Sequence, residues 1–390
     1  MHSLHFFHPR YDAVIVGGRC AGAATAMLLA RSGAKVLLVD RQAYGSDTMS
    51  THAIMRTGVL QLHRWGLLPI VMAATTPEIR STTFHYGAEQ LRIKMKPEHG
   101  LKFLAAPRRT VLDRILVDAA RAAGADVRHG VQLTDLHYGA AGRVIGATLT
   151  DDMGQQRIVR SDIVIGADGK ESTVAKLVYA SKYRVARTTS ACVYGYFENL
   201  DREGFHWHFA DGVAASIMPT NHAQHCVVAS VPDAAFSRTF RGQVAAGFFD
   251  VLRRNSPALH DDVQRAKLVG RLRGFTGGLG FVRQAHGPGW ALVGDAGYFK
   301  DPLTAHGITD ALRDAEILSR AVLSGGPLAL QLYQDMRDEL SRALFDITDD
   351  IASFRWSMEQ VKTLHTQLSA AMRAETDYMA SLSSAGPIAA

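Results

Sequence analysis

The sequence predicts an α/β protein: a half built on strand–turn–helix–strand order, an antiparallel sheet inserted into it, and helices at the C-terminal end. Three observations carry that expectation. Residues 11–40 run strand, glycine-rich turn, helix, strand, and end on an acidic residue. Two later apolar strands end in Asp168-Gly169 and Gly294-Asp295. Between them, residues 191–231 switch to short alternating runs separated by Gly, Asp and Asn, the period of a half-covered sheet.

Tyr11 to Val16 reads YDAVIV, an apolar strand, and Gly17-Gly18-Arg19-Cys20-Ala21-Gly22 follows. Ala23 to Arg31 is rich in good helix formers and Gly33 stops it. Lys35 to Val39 is a second buried strand ending at Asp40. Glycines at such a turn let the backbone approach a pyrophosphate, and the helix N-terminus supplies N–H groups and a positive dipole. An acidic residue at the end of the second strand accepts hydrogen bonds from ribose hydroxyls. One departure stands out: Arg19 occupies the second glycine position of GxGxxG. Its side chain must point away or itself reach a phosphate.

Ser50-Thr51-His52 precedes an expected helix from Ala53 to Trp65, with Ser50 or Thr51 as a possible N-cap. Thr82 to Met95 adds strands. Helix Thr110 to Ala123, a strand at Asp126 to His129 and hairpins over Val131 to Thr150 come next. Asp162 to Gly166 and Gly289 to Val293 are apolar strands whose Asp-Gly and Gly-Asp pairs fall at their carboxyl ends, where open α/β sheets bind ligands. The alternating runs are Cys192 to Phe197, Phe205 to Ala210, Val213 to Pro219 and Gln224 to Val231. A helix begins at Ile308, and helices Leu328 to Ala343 and onward to Tyr378 follow, expected to cover the first domain or a dimer face. The small residues of Ser381 to Ala390 are expected to fray.

At 390 residues with 47% hydrophobic and 21% charged content, the chain can bury two or three structural units. It contains no long uninterrupted apolar stretch, so no integral membrane association is expected. Met1 to Arg10 lacks an apolar core and reads as a leader that is not a signal peptide. The net charge of +6 is spread without a basic stripe, which argues against a nucleic-acid partner. Cys20, Cys192 and Cys226 form no CxxC pair, as in a cytoplasmic protein with free thiols. His206 and His208 share a strand face, but no third ligand is visible in the sequence, so no metal is expected.

The dinucleotide turn, the Asp168-Gly169 motif and the Gly294-Asp295 motif, in that order, resemble the FAD-dependent hydroxylases of the para-hydroxybenzoate hydroxylase type (group A flavin monooxygenases). The related geranylgeranyl reductases and flavin-dependent halogenases share the pattern. The resemblance covers nearly the whole chain to about Arg320 and implies a Rossmann-type FAD-binding domain with an inserted antiparallel-sheet substrate domain and C-terminal helices. The expected boundaries are 10–80, 105–187 and 284–325 for the FAD-binding domain, 81–104 with 188–283 for the substrate domain, and 326–390 for the helical region.

The implied FAD-binding set is Gly17, Gly18, Cys20, Ala21, Gly22, Asp40, Arg41, Ser50, Thr51, Arg109, Val131, Asp168, Gly169, Gly294, Asp295, Pro302, Gly307 and Ile308. Within it, Asp295 resembles the carboxylate on the ribityl chain, Arg109 the arginine on the pyrophosphate side, and Pro302 and Gly307-Ile308 the loop and helix start beside the flavin ring. A helix N-terminus there would stabilise the anionic reduced flavin. Ala175 stands where many members carry Arg. His52, His306, Tyr194 and Tyr196 are the catalytic candidates; His306 stands where many hydroxylases carry Gln and could accept a phenolic proton.

The resemblance implies an NAD(P)H-dependent monooxygenase, monomer or homodimer, hydroxylating a small aromatic or polyketide-like substrate through a flavin hydroperoxide. NAD(P)H would be a transient co-substrate, since no second glycine-rich nucleotide domain is visible. The alternative is a reductase of isoprenoid or other alkene double bonds: Pro302-Leu303-Thr304-Ala305-His306-Gly307-Ile308 resembles the reductase Pro-Leu-Thr-x-x-Gly-Ile at least as well. A halogenase fits less well, because the WxWxIP stretch has no counterpart at Trp207-His208-Phe209. A non-enzymatic flavoprotein fits least.

Overall fold

The computed structural model describes residues 8, 10–326 and 328–382. Most of the expected leader, and the expected frayed tail from residue 383, lie outside the described residues. In chain order, β1 (Arg10–Val16), α1 (Cys20–Arg31) and β2 (Val36–Asp40) open the fold. They are followed by α2 (Arg56–Arg64), α3 (Leu68–Ala73), β3 (Ser81–Tyr86) and β4 (Glu89–Lys94). Then come α4 (Arg109–Ala122), β5 (Asp126–His129), β6 (Val131–Tyr138), β7 (Val144–Asp151), β8 (Gln156–Gly166), α5 (Thr173–Leu177) and β9 (Lys182–Val185). The second sheet is built from β10 (Ser190–Glu198), β11 (Phe205–Ala210), β12 (Val213–Thr220) and β13 (Gln224–Pro232), then, after α6 (Asp233–Phe240), α7 (Val244–Asn255) and α8 (Pro257–Arg265), β14 (Lys267–Phe275). The chain closes with β15 (Phe281–Arg283), β16 (His286–Gly287), β17 (Trp290–Leu292), β18 (Tyr298–Phe299), α9 (Gly307–Ser324), α10 (Ala329–Ala352) and α11 (Met358–Ser381).

The first sheet has the order β16-β17-β8-β1-β2-β5, with β7 and β6 added beyond β8. β1 is central and pairs in parallel with β2 and β8. Its residues from Ala13 to Val16 are all buried, as expected of a parallel strand covered on both faces. One face is covered by α1, whose alanines let α9 and α4 pack closely against it. Gly22 has no room for a side chain: a Cβ there would sit 1.9 Å from the Gly17 carbonyl oxygen. Gly17 adopts φ 106° and would carry a Cβ 2.4 Å from the Ala167 oxygen, so only glycine holds this turn against the end of β8.

The second sheet runs β14-β10-β13-β12-β11-β3-β4, and within it only β3 and β11 are parallel neighbours. Its inner face carries Tyr194, Tyr196, Phe205, Trp207, Phe209 and Met218, packed against Leu344, Ile351, Trp356 and Val361 of the C-terminal segment. Its outer face packs Val213, Ala215, Ile217 and Val227 against α6 to α8. The sheet therefore roofs the carboxyl ends of the first, and the C-terminal helices close one side of the roof.

Three local expectations change. The helix expected from Ala53 starts at Arg56, because Ile54 pairs with Ala105 in an isolated bridge instead. Ser50 and Thr51 therefore cap no helix; the Ser50 hydroxyl accepts from the His52 N–H at 3.0 Å. The C-terminal stretch breaks at residues 353–357, where Phe354 adopts φ 53° and Ser357 with Gln360 forms a capping box. Among the described residues no helix is long and apolar enough to cross a membrane.

Candidate active site

A cavity of about 710 Å³ lies where β1, β8 and β17 end beneath the roof sheet. Gly17, Cys20, Ala21, Asp40, Arg41, Ser50, Thr51, Arg109, Val131, Asp168, Gly169, Asp295, Pro302, Gly307 and Ile308 all line it. Chain separations of up to about three hundred residues are thus gathered by one sheet edge. Gly18, Gly22 and Gly294 sit one layer behind as spacers. The Gly18 N–H donates to Asp40 Oδ2 at 2.7 Å, which pins that carboxylate at the tip of β2. A Cβ on Gly294 would lie 2.9 Å from the Ala21 Cβ.

Two helix N-termini open onto this cavity without side-chain caps. At α1 the N-cap is Arg19, and no acidic residue stands in the first turn. At α9 the N-cap is His306, again with no side-chain hydrogen bond to the helix. Uncapped N–H groups are orphan donors, suited to a phosphate at one end and a developing negative charge at the other. Arg19 runs along the wall: its guanidinium lies 3.4 Å from Asp113 and 3.4 Å from Ser46 Oγ. Asp113 also accepts from Arg109 Nε at 3.0 Å, so one carboxylate holds both arginines beside the turn.

The acidic residues are tuned by their surroundings. Asp168 Oδ2 accepts the Thr173 N–H at 2.6 Å and fixes the start of α5, while Oδ1 is buried without a partner. Burial raises its carboxyl above the ordinary value. Asp295 is pushed up from 3.8 to about 6 by burial and by the Asp310 carboxylate. An orphaned buried acceptor, two uncapped helix ends and a turn that excludes any Cβ make a site that fits FAD.

The catalytic candidates separate. Tyr194 lines the cavity, with the Arg273 guanidinium beside its hydroxyl. Arg273 in turn lies 2.9 Å from Asp47, another lining residue. Tyr196 is one step removed: its hydroxyl is 2.6 Å from His52 Nε2, and the Arg108 guanidinium covers its ring at 3.4 Å. His52, at φ 64°, is fully buried. Burial, then Arg108 and Arg109, lower its pKa to about 3, so it is neutral near pH 7 and can accept the Tyr196 O–H.

His306, expected beside the flavin, is not among the residues that line the cavity. Its ring is sealed under the first turn of α9, where Nε2 lies 3.0 Å from Glu375 Oε2 of α11. Glu375 also accepts from Arg313 Nη1 at 2.8 Å. Burial alone would raise Glu375, but His306 and Arg313 hold it below the ordinary carboxylate range. The helices expected only to cover the domain therefore send a charged residue into its base.

The sequence reading missed Lys300, Lys170, Asp310 and Arg273. Lys300 lines the cavity and is ion-paired with Asp310, both almost fully buried. Lys170 lines it too, with Nζ 4.8 Å from the Phe275 ring centre. The available signal was position: Lys170 follows Asp168-Gly169, and Lys300 precedes Asp301-Pro302. Arg273, on a strand, carried no such mark.

Residues 10–348 match the family described as FAD binding domain. Among curated relatives, the chain is 25% identical over 340 residues to digeranylgeranylglycerophospholipid reductase 2 of Methanococcoides burtonii, covering 84% of this chain and 79% of that protein. Among solved structures, a triple mutant of the flavin-dependent brominase Bmp2 superposes with a TM-score of 0.82 at 16% identity, covering 95% of each chain. PqsL of Pseudomonas aeruginosa, in complex with 2-aminobenzoylacetate, superposes with a TM-score of 0.78 at 18% identity over 92% of this chain and all of the other. The two structural likenesses establish the fold, a mixed α/β architecture with C-terminal helices.

Proposed function

This chain belongs to the FAD binding domain family of FAD-dependent oxidoreductases, and from that premise we propose that it is an NAD(P)H-dependent monooxygenase that hydroxylates a small aromatic or polyketide-like substrate. The observation that carries the reading is the compactness of the cavity. A dinucleotide takes up most of about 710 Å³, and the adjoining apolar recess under Trp207, Phe209 and Leu303 holds only about 20 Å³. A recess that small gives no space for an extended chain, which supports a small substrate.

Bound FAD would supply the redox chemistry, hydride acceptance from NAD(P)H and oxygen activation. The chain's residues bind and orient. Backbone N–H groups of α1, with Arg19 and Arg109 alongside, would hold the pyrophosphate. Asp40 would hold the adenosine ribose and Asp295 the ribityl hydroxyls. The α9 N-terminus at Gly307 and Ile308 stabilises negative charge at the flavin end. Tyr194 and Arg273 hold the polar group of the substrate against the roof, and the Tyr196–His52 pair keeps Tyr194 in place. Tyr194 and Tyr196 stand edge to face with ring centres 6.0 Å apart. His306 acts as a positioning residue beneath the first turn of α9.

A second reading, reduction of an isoprenoid double bond, draws support from the likeness to the archaeal reductase. It needs an elongated apolar channel, and the small recess under the roof favours the first reading instead. The deciding experiment records the absorption spectrum of the purified protein and then follows NADH and NADPH oxidation with a panel of phenols and with prenylated alkenes. Phenol-dependent consumption of oxygen with a hydroxylated product is expected. Alkene reduction without oxygen uptake would replace this reading with the second.

A further inference from the structure

On the outer face of the roof sheet, three histidines from two distant segments meet. β3 and β11 run parallel with His85 opposite His208, and His206 precedes His208 by two residues on the same face. The row continues across the sheet, with Ala215 opposite His208 and Ile217 opposite His206 on β12. This face is turned away from the cavity, because Phe205, Trp207 and Phe209 of β11 occupy the inner one. The third histidine that the sequence could not reveal is His85, 121 residues upstream of His206.

We propose that His85, His206 and His208 form a transition-metal site, of the kind that takes zinc, which ties β3 to β11. One ring nitrogen from each lies within 4.8 Å of the others. His85 Nε2 and His206 Nδ1 are 3.2 Å apart, a spacing that suits two nitrogens on one tetrahedral ion bound at about 2.0–2.1 Å. His206 is already oriented as a ligand. Its Nε2–H donates to the Glu203 carbonyl oxygen at 3.0 Å, which leaves the Nδ1 lone pair directed toward His85. His208 supplies the independent sign: it is only 5% exposed, and neither of its ring nitrogens has a hydrogen-bond partner. A buried imidazole with two unsatisfied nitrogens is costly, and a metal bond removes that cost.

Binding requires one local adjustment. The His85 and His208 rings are stacked 3.9 Å apart and 3° from parallel, so their lone pairs cannot converge until one ring turns about χ2, a soft torsion. A neutral imidazole ligates through the ring nitrogen that carries no proton. His85 need only keep its proton on Nδ1. The nearby Arg202 guanidinium is ion-paired with Asp262. Imidazole donors without a carboxylate select zinc and its transition-metal neighbours over magnesium or calcium. The fourth position falls to water on the His85 side, since His85 is the partly exposed member.

The other histidine-containing clusters are different in kind. His306, Asp310 and Glu375 are already neutralised by Lys300 and Arg313, while Glu98, His99 and Asp377 lie at the surface.

The test uses the full-length, tag-free protein. It is equilibrated with zinc chloride, freed of unbound metal and assayed for zinc by mass spectrometry, and the cobalt-substituted form is examined for tetrahedral absorption bands. The variants are His208→Phe, which keeps the ring stack, and His85→Gln, which alters a partly exposed residue and leaves the sheet intact; His99→Gln is the control. The wild type and His99→Gln are expected to hold about one equivalent more zinc than either site variant. Zinc, and not magnesium, should raise the melting temperature of the wild type and leave both site variants unmoved. Equal zinc in wild type and both variants, or none in the wild type, overturns the proposal.

Discussion

Asp295 should set stability and cofactor affinity against each other. Its carboxyl is raised from 3.8 to about 6, mainly by burial and then by Asp310. At about 1.36 kcal/mol for each tenfold change in proton affinity, that rise makes the ionised form about 3 kcal/mol costlier in the folded protein than in the unfolded chain. Asp295 faces the cavity, where water screens part of this cost, so Asp295→Asn should stabilise the FAD-free protein by about 1–2 kcal/mol at pH 7.5. The sign follows from proton binding. The native carboxyl holds its proton more tightly than the unfolded one, so the wild type loses stability as pH rises from about 4 through about 6, and the advantage of Asn fades as pH falls toward 4. Asp295→Ala, which removes the acceptor, should cost about 1.5–3 kcal/mol of FAD binding, about ten- to a hundred-fold in Kd. Urea unfolding of the FAD-free protein at pH 4.5 and 7.5, with flavin fluorescence titration, reads both. The reasoning fails if Asp295→Asn is no more stable than wild type at pH 7.5, or if Asp295→Ala keeps the wild-type Kd.

Other expectations follow from the same geometry. FAD should be bound without a covalent link, so acid precipitation should release it into the supernatant; a yellow pellet would refute this. Gly22→Val must push a side chain into the Gly17 carbonyl and should abolish flavin retention, measured as the 450 nm absorbance of purified protein. His306→Gln removes a buried partner of Glu375 and should cost about 1.5–3 kcal/mol of stability while FAD stays bound and the pH profile of turnover is unchanged; a shifted pH profile would restore His306 as a base. His52 is held at about 3, below its unfolded value near 6.5, so the wild type should lose stability as pH falls from about 6.5 toward 3. His52→Phe should flatten that part of the urea-midpoint profile. Tyr194→Phe should raise KM for the substrate and spare FAD affinity, and an equal loss of both would place Tyr194 on the cofactor.

The nucleotide-binding half was legible in the chain because its chemistry is local. A turn that must let a phosphate approach needs glycine at Gly17 and Gly22, and a helix start and strand end fix Asp40 within a few dozen residues of them. The alternating runs of β10 to β13 likewise report a sheet directly, since side chains on successive residues face opposite sides. What the chain alone left open is what arises between distant segments. Whether Ser50 caps a helix depended on Ile54 finding Ala105. His306 stands next to the helix start that faces the cavity, yet Glu375, 69 residues later, draws its ring the other way. Arg273 reaches Tyr194, and His85 reaches His208, only because strands far apart in sequence are neighbours in one sheet. Periodicity tells which face a side chain takes on its own strand, but strand order and register decide what it meets there, and those are set by the burial of the whole core.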